Sequence, residues 1–211
     1  DTRCFHFPLR RRLQRCIRGR TYLAAELAAT KKFDWGLFDI NYTMSEVRGN
    51  YEGAVKSDNG QDDAGITQDF DQPGLVDGAN GLSPNHRGHK LKVRGYYNVT
   101  DEFTVGANYR LTSPRKFGCI GVHPTDVFAQ AYGSASNYCD GTLVPRGTAF
   151  SGKWTNEFDM SLAYTPGFID FGSITFRADI FNVLDVRTPT DYQEFGENDS
   201  GLNNATYGLP N

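Results

Sequence analysis

The 211-residue chain has no run of about 18 apolar residues, which excludes a transmembrane helix. Asp1 to Arg20 has no apolar core of the kind a secretory signal carries. Charge of one sign is also missing. The formal net charge is −3, so no global basic field points to nucleic acid, and no nucleic-acid partner is expected. The sequence has no nucleophile elbow, no Gly-rich phosphate loop and no HExxH. Glu157 and Asp159 have strand spacing that puts two carboxylates on one face, but arginines such as Arg110 and Arg177 give them a simpler partner than acid–base chemistry. An enzyme is therefore not expected. Cysteine is sparse: Cys4, Cys16, Cys119 and Cys139. No close second Cys or His pair completes a four-ligand zinc set, and neither metal nor cofactor is expected.

What the chain does have is Gly, Tyr and Phe in abundance, at 23, 11 and 15 residues. The mean hydropathy of −0.53 would suit a soluble protein. In a membrane β-barrel, however, only alternate strand residues meet lipid, so a low mean excludes nothing. Period-two alternation runs through six segments of about ten residues, a length that crosses a bilayer in a tilted barrel strand. They are 21–32, 37–47, 89–99, 103–111, 154–164 and 173–184. In 37–47, for example, Phe38, Ile40, Tyr42 and Met44 oppose Asp39, Asn41, Thr43 and Ser45. In 89–99, Leu91, Val93, Tyr97 and Val99 oppose Lys90, Lys92, Arg94 and Asn98.

The connections alternate too. Short turns at Asp34-Trp35, Thr100-Asp101-Glu102 and Pro166-Gly167 separate long polar stretches over 48–88, 112–153 and from Asp185 onward. Long loops at one end and tight turns at the other are the outer-membrane barrel layout, and loops of this length are uncommon in compact soluble domains. A soluble β-sandwich also alternates. Against it stand charges deep in the strands (Lys92, Arg94, Arg177) and aromatics ending the apolar face (Tyr97, Phe103, Tyr109, Tyr164), placed as a membrane-interface girdle would be. The fold expected is all-β: an antiparallel up-and-down transmembrane β-barrel segment with long extracellular loops. The competing class is a soluble or surface β-rich carbohydrate-binding or adhesion module.

Several ordered segments resemble TonB-dependent receptors of the Oar-like branch: Arg48-Gly49-Asn50-Tyr51-Glu52-Gly53, Ser57-Asp58-Asn59-Gly60-Gln61, Asp69-Phe70-Asp71, Gly81-Leu82, His86-Arg87-Gly88-His89-Lys90, Leu143-Val144-Pro145-Arg146-Gly147 and Asp179-Ile180-Phe181-Asn182-Val183-Leu184-Asp185. His86 stands where that branch tends to have Asp. The resemblance covers about 19–211 and implies six strands of a 22-stranded C-terminal barrel, with the plug domain and the closing strand outside this sequence. It further implies a bacterial outer-membrane location, contact with outer-membrane lipid, a TonB complex acting through the plug, and import of an unknown scarce large solute such as a siderophore or oligosaccharide. Residues 1–18, with Arg10, Arg11, Arg12, Arg15 and Arg18, depart from it and are expected to be a disordered basic stretch.

The long loops are the expected places for first contact with a solute. Tyr51 and Phe70 in 48–88, and Phe117, Phe128, Tyr132 and Tyr138 in 112–153, are the aromatic candidates, although aromatics here can equally pack a loop on itself. Cys119 and Cys139 share one polar, Gly-rich stretch and are expected to form a disulfide bracing it. Asp58-Asn59-Gly60-Gln61-Asp62-Asp63 gathers oxygen ligands but lacks the twelve-residue calcium pattern, and reads as a solvated turn. His86 and His89, three apart, read as polar residues at a strand mouth rather than a metal pair.

Overall fold

A computed structural model describes residues 19–53, 55–60, 68–168 and 174–211. The expected basic stretch 1–18, with Cys4 and Cys16, lies outside these residues, as do Asp62, Asp63 and Ser173.

Strands β1 (Arg20–Phe33) and β2 (Gly36–Gly49) form a long hairpin closed by Asp34-Trp35, with Phe33 opposite Gly36. A short helix α1 (Pro73–Val76) and a two-residue strand β3 (Gly81–Leu82) follow within the first long loop. Strands β4 (His89–Asn98) and β5 (Phe103–Thr112) form the second hairpin. The second long loop holds β6 (Lys116–Phe117), helix α2 (Val127–Gln130), β7 (Tyr138–Cys139), β8 (Thr142–Leu143) and β9 (Phe150–Ser151). Strands β10 (Thr155–Tyr164) and β11 (Phe176–Ile180) complete the main sheet.

The main sheet runs β1-β2-β4-β5-β10-β11, every pairing antiparallel, with β3 beside β2. It is open: β1 and β11 are its two edges. This is the all-β, up-and-down arrangement expected from the alternation. Five of the six segments become strands within a few residues of their expected bounds. The sixth, expected over 173–184, is a strand only at Phe176–Ile180. Beyond it the chain turns through Asn182 (φ 49°) and Asp185 (φ 46°), a left-handed conformation that Asn and Asp tolerate. The Asn182 side chain locks this turn, accepting the Val186 N–H at 3.1 Å and donating to the Val186 carbonyl at 3.2 Å.

The tight turns share one end of the sheet. The Asn98 N–H donates to the Trp35 carbonyl at 2.8 Å, and the Thr165 N–H to the Glu102 carbonyl at 2.7 Å. Strand direction therefore sends both long loops and the segment after β11 to the opposite end, where they pack into a cap. The only other sheets among the described residues are the pairs β6–β9 and β7–β8, both inside the second loop. Among the described residues no second layer covers the main sheet. The fully buried apolar side chains (Leu75, Ala79, Phe117, Cys119, Ile120, Ala129 and Ala135) all belong to loops. Among the described residues no helix is long and apolar enough to cross a membrane.

Candidate functional site

Register across the sheet sorts the strand residues onto two faces of opposite chemistry. One row reads Ala29, Ile40, Val93, Tyr109, Phe158; the next reads Lys31, Phe38, Gly95, Ala107, Met160, Ile180; the one after it reads Phe33, Gly36, Tyr97, Val105, Leu162, Ala178. Among the described residues no second layer packs on this face: Leu27 is 70% exposed, and Phe38, Met44 and Tyr97 are exposed as well. At the turn end this face carries Phe103, Tyr164 and Phe176 in one row, with Trp35 stacked on Phe33 at 4.3 Å and tilted against Tyr97 at 5.3 Å. At the loop end Tyr42, His89 and Trp154 stack in series, ring centroids 6.1 Å apart at each step. From Trp154 to Tyr164 a strand rises about 33 Å. A tilt of about 40° reduces that to about 25 Å, the height of an aromatic-bounded membrane band.

The opposite face is polar and matched. Asp39 accepts from Thr30 at 2.5 Å and from Arg94 at 2.8 Å. Arg110 lies 3.4 Å from Glu157, and Asn108 donates to Asp159 at 3.2 Å. Arg177 pairs with Asp179. A trough of about 490 Å³ on this side is lined by Arg94, Asn108, Asp159, Arg177 and Asp179 together with the apolar Leu37, Tyr96 and Phe181. A charged side chain leaves water only at high cost unless paired, so the chemistry of this face suits an aqueous surface and that of the other does not.

In the cap, Cys119 and Cys139 are joined by a disulfide across the second loop. Four carboxylates of the C-terminal segment hold that loop by its backbone and by Arg115. Glu194 accepts from Gly118 N–H at 2.7 Å and from Arg115; Asp191 accepts from Arg115 at 2.5 Å. Glu197 accepts from Val122 N–H at 2.9 Å and from Asp140 N–H, and Asp199 from Ser134 N–H at 3.0 Å. Ion pairs join the first loop to the second: Arg146 donates to Asp58 at 2.8 Å and lies 4.0 Å from Asp69, which Lys56 holds at 2.6 Å. Burial alone would push the Asp58 carboxyl up, but the Lys56 and Arg146 charges outweigh it and hold the group below the usual range. Burial alone would likewise lower Arg146, and the Asp58 and Asp69 carboxylates raise it instead.

The aromatic candidates divide. Phe128 is 67% exposed on α2, beside exposed Val127 and Tyr132. The α2 start is fixed by Asp126, whose carboxylate accepts from Phe128 N–H at 3.0 Å and Ala129 N–H at 3.3 Å. Tyr51 and Phe70 lie against each other at 6.2 Å, both half-buried. Tyr138 is half-buried, its ring edge-on to His123 at 4.6 Å. Phe117 is a correction: it is 0% exposed, stacked on Phe150 at 5.0 Å, edge-on to Tyr192 at 5.1 Å and under Arg115. It belongs to the loop core and has no surface to offer a solute.

The reading of Asp58 as a solvated turn is also corrected, since it is buried in the ion cluster. His86 is not merely strand-mouth polarity. It is buried, its Nδ1 accepts the Val47 N–H at 3.2 Å, and burial pushes its pKa down. His89 Nδ1 faces the Tyr42 hydroxyl at 2.8 Å. Sequence reasoning passed over Arg115, Glu194 and Glu197, and gave Arg146 no role beyond a place in a resembling segment. Their only advance signal was the spacing of carboxylates in the segment after β11. Among the described residues no group of three or more His, Cys, Asp or Glu side chains could hold a metal ion.

The chain is similar to the TonB-dependent transporter Oar of Myxococcus xanthus, at 30% identity over 155 residues. The match takes in 72% of this chain and 14% of that protein, so the chain spans about a seventh of the length of the curated relative. No protein-family model matches the chain, and no solved structure matches it.

Proposed function

We propose that residues 19–211 are part of the barrel of a bacterial outer-membrane TonB-dependent transporter. The apolar face meets lipid, the polar face lines the interior, and the loop cap stands outside the cell. A plug outside this sequence would engage the TonB complex, and the cap would make first contact with an imported solute of scarce, large type. In that role Phe128 and Tyr132 offer exposed aromatic surface, and Tyr51, Phe70 and Tyr138 are half-buried in the same loops. The reading involves no enzyme activity, cofactor or nucleic acid. The observation that carries it is the single-layer sheet, whose apolar face is covered by none of the described residues while its polar face is internally ion-paired. The likeness to Oar agrees with it.

The two tryptophans test it directly, because Trp35 and Trp154 sit at opposite ends of the apolar band. The full chain is folded into vesicles of lipids brominated at graded acyl depths. Both tryptophans should be quenched most by lipids brominated near the headgroup and least by those brominated at the chain end. Vesicle-bound chain whose fluorescence ignores the position of bromine would end the proposal, as would a monodisperse monomer in detergent-free buffer.

A further inference from the structure

The charges of the cap are layered. The segments 117–145 and 188–211 contain six Asp or Glu and no Lys or Arg. Cations gather instead where β4, β5 and β10 meet the cap. A cleft of about 20 Å³, room for one water-sized oxygen, takes its polar lining there from Arg87, Ser113, Arg115, Lys153, Thr155 and Thr190. Its other walls are proline, glycine and Phe117, and among the described residues no Asp or Glu lines it. Arg115 is committed to Asp191 and Glu194. Arg87 has no such partner. It is half-buried and donates from Nη1 to the Pro84 and His86 carbonyls at 3.2 and 2.8 Å, and among the described residues it pairs with no carboxylate. Burial and the Arg115 charge both push its pKa down. Lys153 is exposed and, among the described residues, also without a carboxylate partner. The buried Ser113 Oγ accepts the His89 N–H at 3.0 Å, which leaves its own O–H to donate.

We infer that this cleft binds a phosphate group, one oxygen seated in it and the others at its mouth against Arg87 and Lys153. The side chains it has to offer are donors: the uncommitted N–H groups of Arg87, the Lys153 ammonium and the Ser113 hydroxyl. A ligand with several acceptor oxygens and a double negative charge complements that set, and the planar guanidinium suits two phosphate oxygens at once. A half-buried cation without a counter-charge is costly, and an anion here offsets that cost without any movement of the cap. The position bears on the source of the phosphate. His89 lies two residues after Arg87, and Trp154 follows Lys153; both belong to the aromatic stack at the loop end of the apolar face. Where lipid covers that face, the cleft lies at headgroup level. A lipid phosphate monoester is therefore one source, and free or solute-borne phosphate the other. Phosphate binding rests on the cleft alone; only the lipid source rests on the transport reading.

The full chain, folded in micelles of an uncharged detergent, is titrated with inorganic phosphate by calorimetry at constant ionic strength. Binding should saturate at one phosphate per chain. Arg87→Gln should weaken it about tenfold and Lys153→Gln about threefold, while Lys92→Gln, on the polar face of the sheet, should leave it unchanged. No saturable binding in the unaltered chain, or undiminished binding in either Arg87→Gln or Lys153→Gln, overturns the site. Lys153 is exposed, so its variant decides even where Arg87→Gln does not fold. A second arm separates the sources. Chain carrying Trp35→Phe is folded into phosphatidylcholine vesicles that hold a minor share of brominated phosphatidic acid or brominated phosphatidylglycerol. Stronger quenching of Trp154 by phosphatidic acid, lost in Lys153→Gln, assigns the phosphate to a lipid headgroup. Equal quenching by the two lipids, with phosphate still bound in micelles, assigns it to a free or solute-borne phosphate. Phosphate bound by a chain that stays monomeric without detergent would keep the site and end the transport reading.

Discussion

The sheet and the cap invert the usual placement of apolar side chains. In the strands Leu27, Phe38, Met44 and Tyr97 are exposed, whereas in the loops Leu75, Phe117, Ile120 and Ala129 are buried. A sheet in water buries one face against another layer, because apolar burial is the main term favouring folding. Among the described residues that layer is missing over the sheet and present over the loops. The cap therefore carries a core of its own, assembled from short elements, a disulfide and ion pairs. The sheet's apolar face is built for a partner outside the chain. The two regions should accordingly answer to different solvents: the cap to water and the sheet to lipid.

The largest expected effect tests the cap's claim to a core. Phe117→Ala removes a fully buried ring and should cost about 3–5 kcal/mol of cap stability, read by hydrogen exchange over 113–154. Protection unchanged by that substitution would mean that the cap has no core. Next comes the sheet. Val93→Arg, in the middle of the apolar band, should cost about 2–4 kcal/mol in a urea titration of vesicle-inserted chain, while Asn41→Arg on the polar face should be nearly neutral. Equal costs for the two would erase the distinction between the faces. The smallest effect is the most useful for function. Phe128→Ala removes an exposed ring and should change stability by no more than about 0.5 kcal/mol, so any larger loss of solute affinity in the full receptor would report contact rather than folding.

The sheet was almost entirely legible in advance. Alternation in 37–47 and 89–99 assigned Ile40 and Val93 to one face and Asp39 and Arg94 to the other, and the register places both pairs side by side. The segment expected over 173–184 runs too far because Asn182 and Asp185, both at left-handed φ, turn the chain where the alternation of Ile174 to Ile180 ends. The cap was legible only in its disulfide stretch and its aromatic content. Phe117 and Phe128 look alike in sequence, and eleven residues apart one is sealed and the other open. Asp58 looked like a solvated turn because its partner, Arg146, is 88 residues away.

The sequence by itself determined the strands, their two faces and the ends at which the chain turns. Period-two chemistry and turn length act between near neighbours, and a one-residue slip of register would reverse every side chain. Only the tertiary structure decided which loop aromatics are covered, that the first loop joins the second through Asp58 and Arg146, and that Glu194 reaches Arg115 across 79 residues. Such contacts have no period. They follow from the sheet bringing distant segments to one end, where desolvation then selects which charges pair.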